Sequence, residues 1–159
     1  MFPIVRLPLN IFRNPPESQV KHLLAEAKLP SSDLSSRHLE HFWGCGPVEA
    51  PTGVVGLEIY GDVALLRSLA VAVGSRGSGS GRALVAEAER YAQSQGVSRV
   101  YLLTTTAEKF FERLGYTKTD RESAPVPIRQ TEEFSGLCPS SSTFMVKVIM
   151  PLQQAGLLR

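Results

Sequence analysis

Long apolar runs are missing from this chain, and so is any marked excess of charge. No stretch approaches the roughly 20 consecutive apolar residues that span a bilayer, so no membrane segment is expected. The first dozen residues are apolar but broken by Pro3, Arg6 and Pro8. They offer no small-residue cleavage site, so no signal peptide is expected either. Lysine and arginine exceed aspartate and glutamate by only two charges, and no basic cluster is present, which argues against a nucleic-acid partner. Cysteine is scarce. Cys45 and Cys138 are expected to be free thiols of a cytoplasmic protein rather than a disulfide. The remainder is ordinary for a globular protein: 159 residues, 43% hydrophobic and 20% charged, suit one domain over residues 1–150 and a short tail at 151–159.

The most informative stretch runs from Leu65 to Ala92. Apolar Leu65, Leu66, Leu69, Val71 and Val73 predict a buried strand. Residues 74–81 then hold four glycines in eight positions. A helix follows, with Leu84, Val85, Ala88, Tyr91 and Ala92 on one stripe and Glu87, Glu89, Arg90 and Gln93 opposite. Glycines allow positive φ and let another molecule approach the backbone. Unpaired amides and the dipole at a helix start favour an anion, so the turn can cradle a pyrophosphate, with Arg76 and Arg82 supplying charge. A turn that merely needs flexible residues is the plainer alternative.

Three phosphate-binding patterns compete. A Walker loop needs Lys-Ser/Thr after its last glycine, but Arg82-Ala83 follows Gly81. The dinucleotide fingerprint starting at Gly77 places Arg82 at its third glycine, and no acidic residue follows the next strand to hold a ribose. Arg-x-x-Gly-x-Gly fits as Arg76-Gly77-Ser78-Gly79-Ser80-Gly81. In this frame the stretch resembles the coenzyme A loop of the GCN5-related N-acetyltransferases, with Leu69-Ala70-Val71 as the strand before it. Residues 107–116, AEKFFERLGY, resemble that family's aromatic-rich helix ending in Leu-Gly-Phe/Tyr. The resemblance covers residues 53–149 well and the first fifty loosely. LLRSLAV, YLLTTTAEKFFERLGY and FSGLCPSSS together resemble the branch of arsenic-resistance N-acetyltransferase-like proteins.

The resemblance implies an α/β fold: a mixed, mostly antiparallel sheet flanked by helices, with a bulged central strand and a V-shaped cofactor cleft. It also implies acetyl-CoA as acetyl donor and a small amine as acceptor, possible arsenical resistance included among its roles, and transfer by direct attack. Leu69–Val71, Arg76, Gly77, Ser78, Gly79, Ser80, Gly81 and Arg82, with Phe110 and Phe111, are the implied cofactor contacts. An amide near Leu69 or Ala70 would polarise the acetyl carbonyl. Two other readings stand beside the enzyme: an acyl-CoA sensor without efficient transfer, and an arsenical binder using Cys138.

The rest of the chain predicts an edge strand at 2–9 and a helix from Glu17 to about Lys28 carrying Val20, Leu23, Leu24 and Ala27. A second helix is expected near 33–42, capped from Ser31-Ser32-Asp33. Strands follow around 43–48, at 54–60, at 99–104 and at 144–149, with a hairpin at Gly61-Asp62 and a short helix from Pro125 to about Phe134. On the central strand, Leu69 and Val71 alternate, but the same face carried backwards meets Arg67 instead of Leu66. One extra residue near Arg67-Ser68 restores the phase, so a bulge is expected there.

For catalysis, an amine of pKa about 10 needs a base at neutral pH. Glu58, between Leu57 and Ile59, is the candidate; the plainer account is an ion pair with Arg67. Arg67 could hold an anionic acceptor, or pair with Glu58 or Asp62. The family's frequent tyrosine acid falls on Phe110 or Phe111 here, and neither can donate a proton. His38 and His41 are three apart, but without a third ligand no metal is expected. An apolar sheet edge could pair two copies into a homodimer, though no residue demands it.

Overall fold

The computed structural model describes residues 9–152. A seven-stranded sheet organises it: β1 (Ile11–Arg13), β2 (Phe42–Cys45), β3 (Gly53–Tyr60), β4 (Val63–Val71), β5 (Arg99–Thr104), β6 (Thr117–Lys118) and β7 (Thr143–Val148). The strand order is β1-β2-β3-β4-β5-β7-β6, and every pairing is antiparallel except β4 with β5. This is the mixed, mostly antiparallel α/β arrangement expected. The strand expected at 2–9 lies, apart from Leu9, outside the described residues, and β1 starts beyond it. Among the described residues, no helix is long and apolar enough to cross a membrane.

Helices cover both faces. Helix α1 (Glu17–Glu26) follows Pro16 and buries Val20, Leu23 and Leu24, an i, i+3, i+4 stripe. It stops two residues short of Lys28 because Lys28 turns left-handed at φ 58°. Its amide reaches the Ala25 carbonyl and that of Leu29 the Leu24 carbonyl, which together close the last turn. Helix α2 is only Ser36–Leu39 and is capped from Ser35, whose amide and hydroxyl both meet His38 Nδ1. The longer helix capped from Ser31–Asp33 does not form, because Asp33 turns inward to Arg67. These helices pack over Phe42, Val54 and Ala70. On the opposite face α3 (Ser80–Ser94) and α4 (Glu108–Arg113) cover Trp43, Val55, Leu57, Ala64 and Leu66.

The expected bulge is present. Gly56 pairs with Arg67 and Val54 with Ala70, so Ser68 and Leu69 together oppose Val55. Ser68 takes φ 59° to make the extra step. Leu66 and Leu69 therefore lie against the same core, three residues apart. Strand β4 ends at Val71, and the expected continuation to Val73 is corrected: Val73–Ser75 form a tight turn with Val73 71% exposed.

Late in the chain, α5 (Val126–Arg129) is shorter than expected, and a single wide π-type turn follows at Glu133–Leu137. Thr131 separates them. Its hydroxyl donates to the Ile128 carbonyl and accepts from the Phe134 amide, closing one turn while capping the next.

Candidate active site

Strands β4 and β5 pair only over Val63–Leu65 and Arg99–Tyr101, and then part. The wedge between them is a cleft of about 840 Å³. Ala72 donates to Thr52 across the β3 side. Alternation along an antiparallel strand therefore turns the backbone groups of Val71 and Leu69 the other way, into the cleft. This is how the bulged strand offers free amides to a ligand.

The glycine-rich turn closes one end. Gly77 and Gly79 sit at φ 82° and 87°, in the left-handed region, with Gly79 at the cap of α3. Ser78 Oγ donates to the Ser75 carbonyl at 2.6 Å and lies 2.8 Å from Ser80 Oγ, bracing the turn. Among the described residues, no carbonyl accepts from the amides of Gly77 through Arg82. Six unpaired amides at the start of a 15-residue helix form an anion seat. Arg76 Nε donates to the Val71 carbonyl at 3.2 Å, which holds its guanidinium beside the turn. Gly81 lies close under the α4 aromatics: a Cβ there would stand 3.3 Å from the Phe110 ring.

The structure brings nearly all the expected cofactor contacts together. Leu69–Val71 form the edge, Arg76, Gly77 and Gly79–Arg82 the mouth, and Phe110 and Phe111 the far wall. Ser78 is the exception; it lies off the lining, facing its neighbouring serine. No tyrosine lines the cleft among the described residues. Tyr116 is buried with its hydroxyl on Glu89, and Tyr101 stacks on Phe144.

The two expected catalytic residues sit differently. Arg67 borders the cleft, but its buried guanidinium is taken up by protein groups. Asp33 meets it twice, at 2.5 and 2.8 Å, Glu58 at 2.8 Å and Glu133 at 3.2 Å, while Nε donates to Ser68 Oγ. Arg67 thus pairs with Glu58 rather than Asp62, and its buried guanidinium is ringed by carboxylates instead of standing open to an anionic acceptor. Glu58 lies off the cleft lining, with one oxygen on Arg67 and the other accepting from the Tyr60 hydroxyl. Asp33, His38 and Glu58 bring ligand atoms within 4.8 Å of one another, and the Arg67 guanidinium already bonds both of these carboxylates. His41 turns away to Tyr91.

This cluster fixes the local charge. Burial works against the Arg67 charge, yet Asp33, Glu133 and Glu58 together hold it above its usual range. Burial alone would raise the Asp33 carboxyl, but its bonds to Arg67 outweigh that and hold it low. Glu133 is pushed up to about 7, by burial first and then by Asp33 and Glu58, against the pull of Arg67. Cys138 lines the cleft beside Glu133, and burial together with that carboxylate pushes its thiol up to about 12. Glu133 is the group that sequence reasoning missed. It lies 66 residues from Arg67, and nothing local in the sequence marks the pair.

Comparison with known proteins agrees with this geometry. The family model described as "Acetyltransferase (GNAT) family" matches residues 9–116. An uncharacterized N-acetyltransferase of Chlorobaculum tepidum is 41% identical over 66 residues, which are 42% of this chain and 42% of that protein. Among solved structures, N-acetylglutamate synthase from Neisseria gonorrhoeae, complexed with coenzyme A and N-acetyl-glutamate, superposes with TM-score 0.74 at 20% identity. It is matched over 91% of this chain and 36% of its own. A Mycobacterium tuberculosis protein in complex with CoA gives TM-score 0.72 at 20% identity, over 89% of this chain and 99% of that one. The chain thus spans about two fifths of the curated relative and about a third of the synthase.

Proposed function

Because the chain belongs to the acetyltransferase (GNAT) family, whose model it matches over residues 9–116, we propose that it binds acetyl-CoA in this cleft and transfers the acetyl group to a small amine. The observation that carries the reading is the row of unpaired amides at Gly77–Arg82, at one end of a cleft floored by the free edge of β4. The pyrophosphate takes the amides and Arg76, and the pantetheine arm runs along Leu69–Val71. The Leu69 amide donates to the acetyl carbonyl oxygen as negative charge develops there. The amine forms the new C–N bond as the thioester C–S bond breaks and coenzyme A leaves as a thiolate. Transfer is direct: the one thiol on the lining, Cys138, is held protonated and is a poor nucleophile. Two free cysteines agree with a cytoplasmic setting.

The test is calorimetric titration with acetyl-CoA of the intact protein and of an Arg76→Ala, Gly79→Trp variant whose helix content is checked by circular dichroism. Binding by the intact protein, lost in the folded variant, is expected. No binding by the intact protein overturns the reading.

One observation favours the sensor reading: no tyrosine faces the cleft among the described residues, and Phe110 and Phe111 stand in its expected place. Release of coenzyme A thiol with any member of an amine panel argues against a sensor. The arsenical link rests on the sequence resemblance. A direct thiol route draws no support from Cys138 held as a thiol, with Cys45 buried in the core under α3.

A further inference from the structure

Neither of the two expected catalytic residues gives the acceptor an outlet for its proton. Glu58 is off the lining and both its oxygens are occupied. Arg67 reaches the lining but is a guanidinium, which can only donate, and it is held among Asp33, Glu58 and Glu133. Among the other polar residues on the lining, Cys138 and Ser142 come from the late part of the chain that also carries Glu133. The π-type turn brings the Cys138 amide back to the Glu133 carbonyl at 3.0 Å, which sets the Cys138 thiol beside the Glu133 carboxylate. Glu133 is 4% exposed and meets Arg67 by a single contact at 3.2 Å. Ser142, 6% exposed, borders the same space, and its hydroxyl has no partner among the described residues. A bound acceptor would satisfy that hydroxyl.

Resting on the acetyltransferase reading, we propose that Cys138 and Glu133 form the proton outlet for the amine acceptor, with Cys138 meeting the amine and Glu133 receiving the proton behind it. An ammonium proton moves to Cys138 Sγ as the Cys138 S–H proton moves to the Glu133 carboxylate. The thiol is neutral before and after, and Glu133 becomes a carboxylic acid. The freed lone pair forms the C–N bond, the C–S bond breaks, and the coenzyme A thiolate takes the second nitrogen proton. Glu133 then returns its proton to solvent. The charged and titratable groups facing the pair are Arg67, Asp33 and Glu58 around Glu133, and Arg67 and Arg121 near Cys138. Burial, and after it Asp33 and Glu58, makes Glu133 a stronger base than an isolated carboxylate, and its value of about 7 suits work near neutral pH.

The experiment first titrates the intact protein with acetyl-CoA, then follows coenzyme A thiol release against pH with glycine, ethanolamine, cadaverine and glutamate as acceptors. Glu133→Gln and Cys138→Ala are expected to lose roughly 100-fold in kcat while keeping acetyl-CoA affinity within about twofold. Cys138→Ser, whose hydroxyl can still relay, is expected to retain more activity than Cys138→Ala. Glu133→Gln is expected to remove the acidic limb of the kcat/KM profile near 7, whereas Glu58→Gln keeps a limb and shifts it to lower pH, since Glu58 helps to raise Glu133. A limb that persists in Glu133→Gln, with acetyl-CoA still bound, overturns this inference alone. Failure of the intact protein to bind acetyl-CoA overturns the acetyltransferase reading on which it rests. If no amine reacts, infrared difference spectra between about pH 5 and pH 9 decide. A protonated-carboxyl band that titrates near 7 and vanishes in Glu133→Gln, with a Cys138→Ala shift in its midpoint, supports the pair. Absence of that band or shift overturns it.

Discussion

A buried guanidinium ringed by Asp33, Glu58 and Glu133 makes Arg67 the most consequential single side chain in the fold. Removing one member of such a cluster leaves charge buried without a partner. Arg67→Met is expected to cost about 3–5 kcal/mol, read from urea midpoints. Arg67→Lys is expected to fall between, because an ammonium cannot bond Asp33 bidentately. The same cluster sets the pH dependence of stability. Glu133 is raised from 4.5 to about 7 in the fold, so the folded chain holds more protons than the unfolded chain across that window. Stability from this group is complete below the unfolded value and is lost as pH rises through about 7. Asp33 works oppositely: its folded value lies below 3.8, so its contribution is present above that pH and is lost below it. Urea midpoints between about pH 4.5 and 7.5 are expected to decline in the parent protein and to flatten in Glu133→Gln. An equal slope in both would show that Glu133 is not the titrating group.

At the level of elements, one glycine governs how β3 meets β2. Gly56 pairs with Phe42, and a Cβ on Gly56 would stand 2.3 Å from the Phe42 ring, which is fully buried. Gly56→Ala is expected to destabilise by about 1–3 kcal/mol by overpacking, and adding Phe42→Leu is expected to recover part of that loss. Denaturant midpoints of the two single variants and the double variant close the cycle. Elements whose own residues carry their pattern were legible in the sequence. The stripe Leu84, Val85, Ala88 and Ala92 announced α3, and the phase slip between Leu66 and Leu69 announced the bulge. The turn glycines announced the loop whose amides stay without carbonyl partners. What stayed hidden depends on partners far along the chain. Asp33 read as a helix cap but bonds Arg67, 34 residues away, and that contact is what shortens α2. Val73 continued the apolar alternation of β4, although the chain had already turned for the loop. Glu133 stands in a segment whose local pattern shows only a short helix, and its carboxyl acquires its character from Arg67, Asp33 and Glu58.

For the whole molecule, the decisive feature is that the sheet is held together at one end of β4 and β5 and open at the other. One half presents the β4 edge and the start of α3; the other presents β5 and the aromatic wall of α4. A ligand lying in the wedge touches both halves, so it binds the folded state and has no equivalent site in the unfolded chain. Saturation at 100 times Kd is then expected to add about 2.7 kcal/mol. For a chain of this length each kcal/mol raises Tm by about 2–4 °C. The distribution of the effect distinguishes seating in the cleft from general stabilisation. Acetyl-CoA is expected to slow hydrogen exchange most at the amides of Gly77–Arg82, which have no carbonyl partner in the free protein, and at Leu69 and Val71, which face the wedge. The β1–β2 ladder on the far side of β3 lies off the lining and is expected to show protection only through global stability. In Arg76→Ala, Gly79→Trp both the Tm rise and the local protection are expected to disappear together. A rise that survives in that variant, or protection spread evenly over the sheet, would place the ligand elsewhere and remove the wedge as the site.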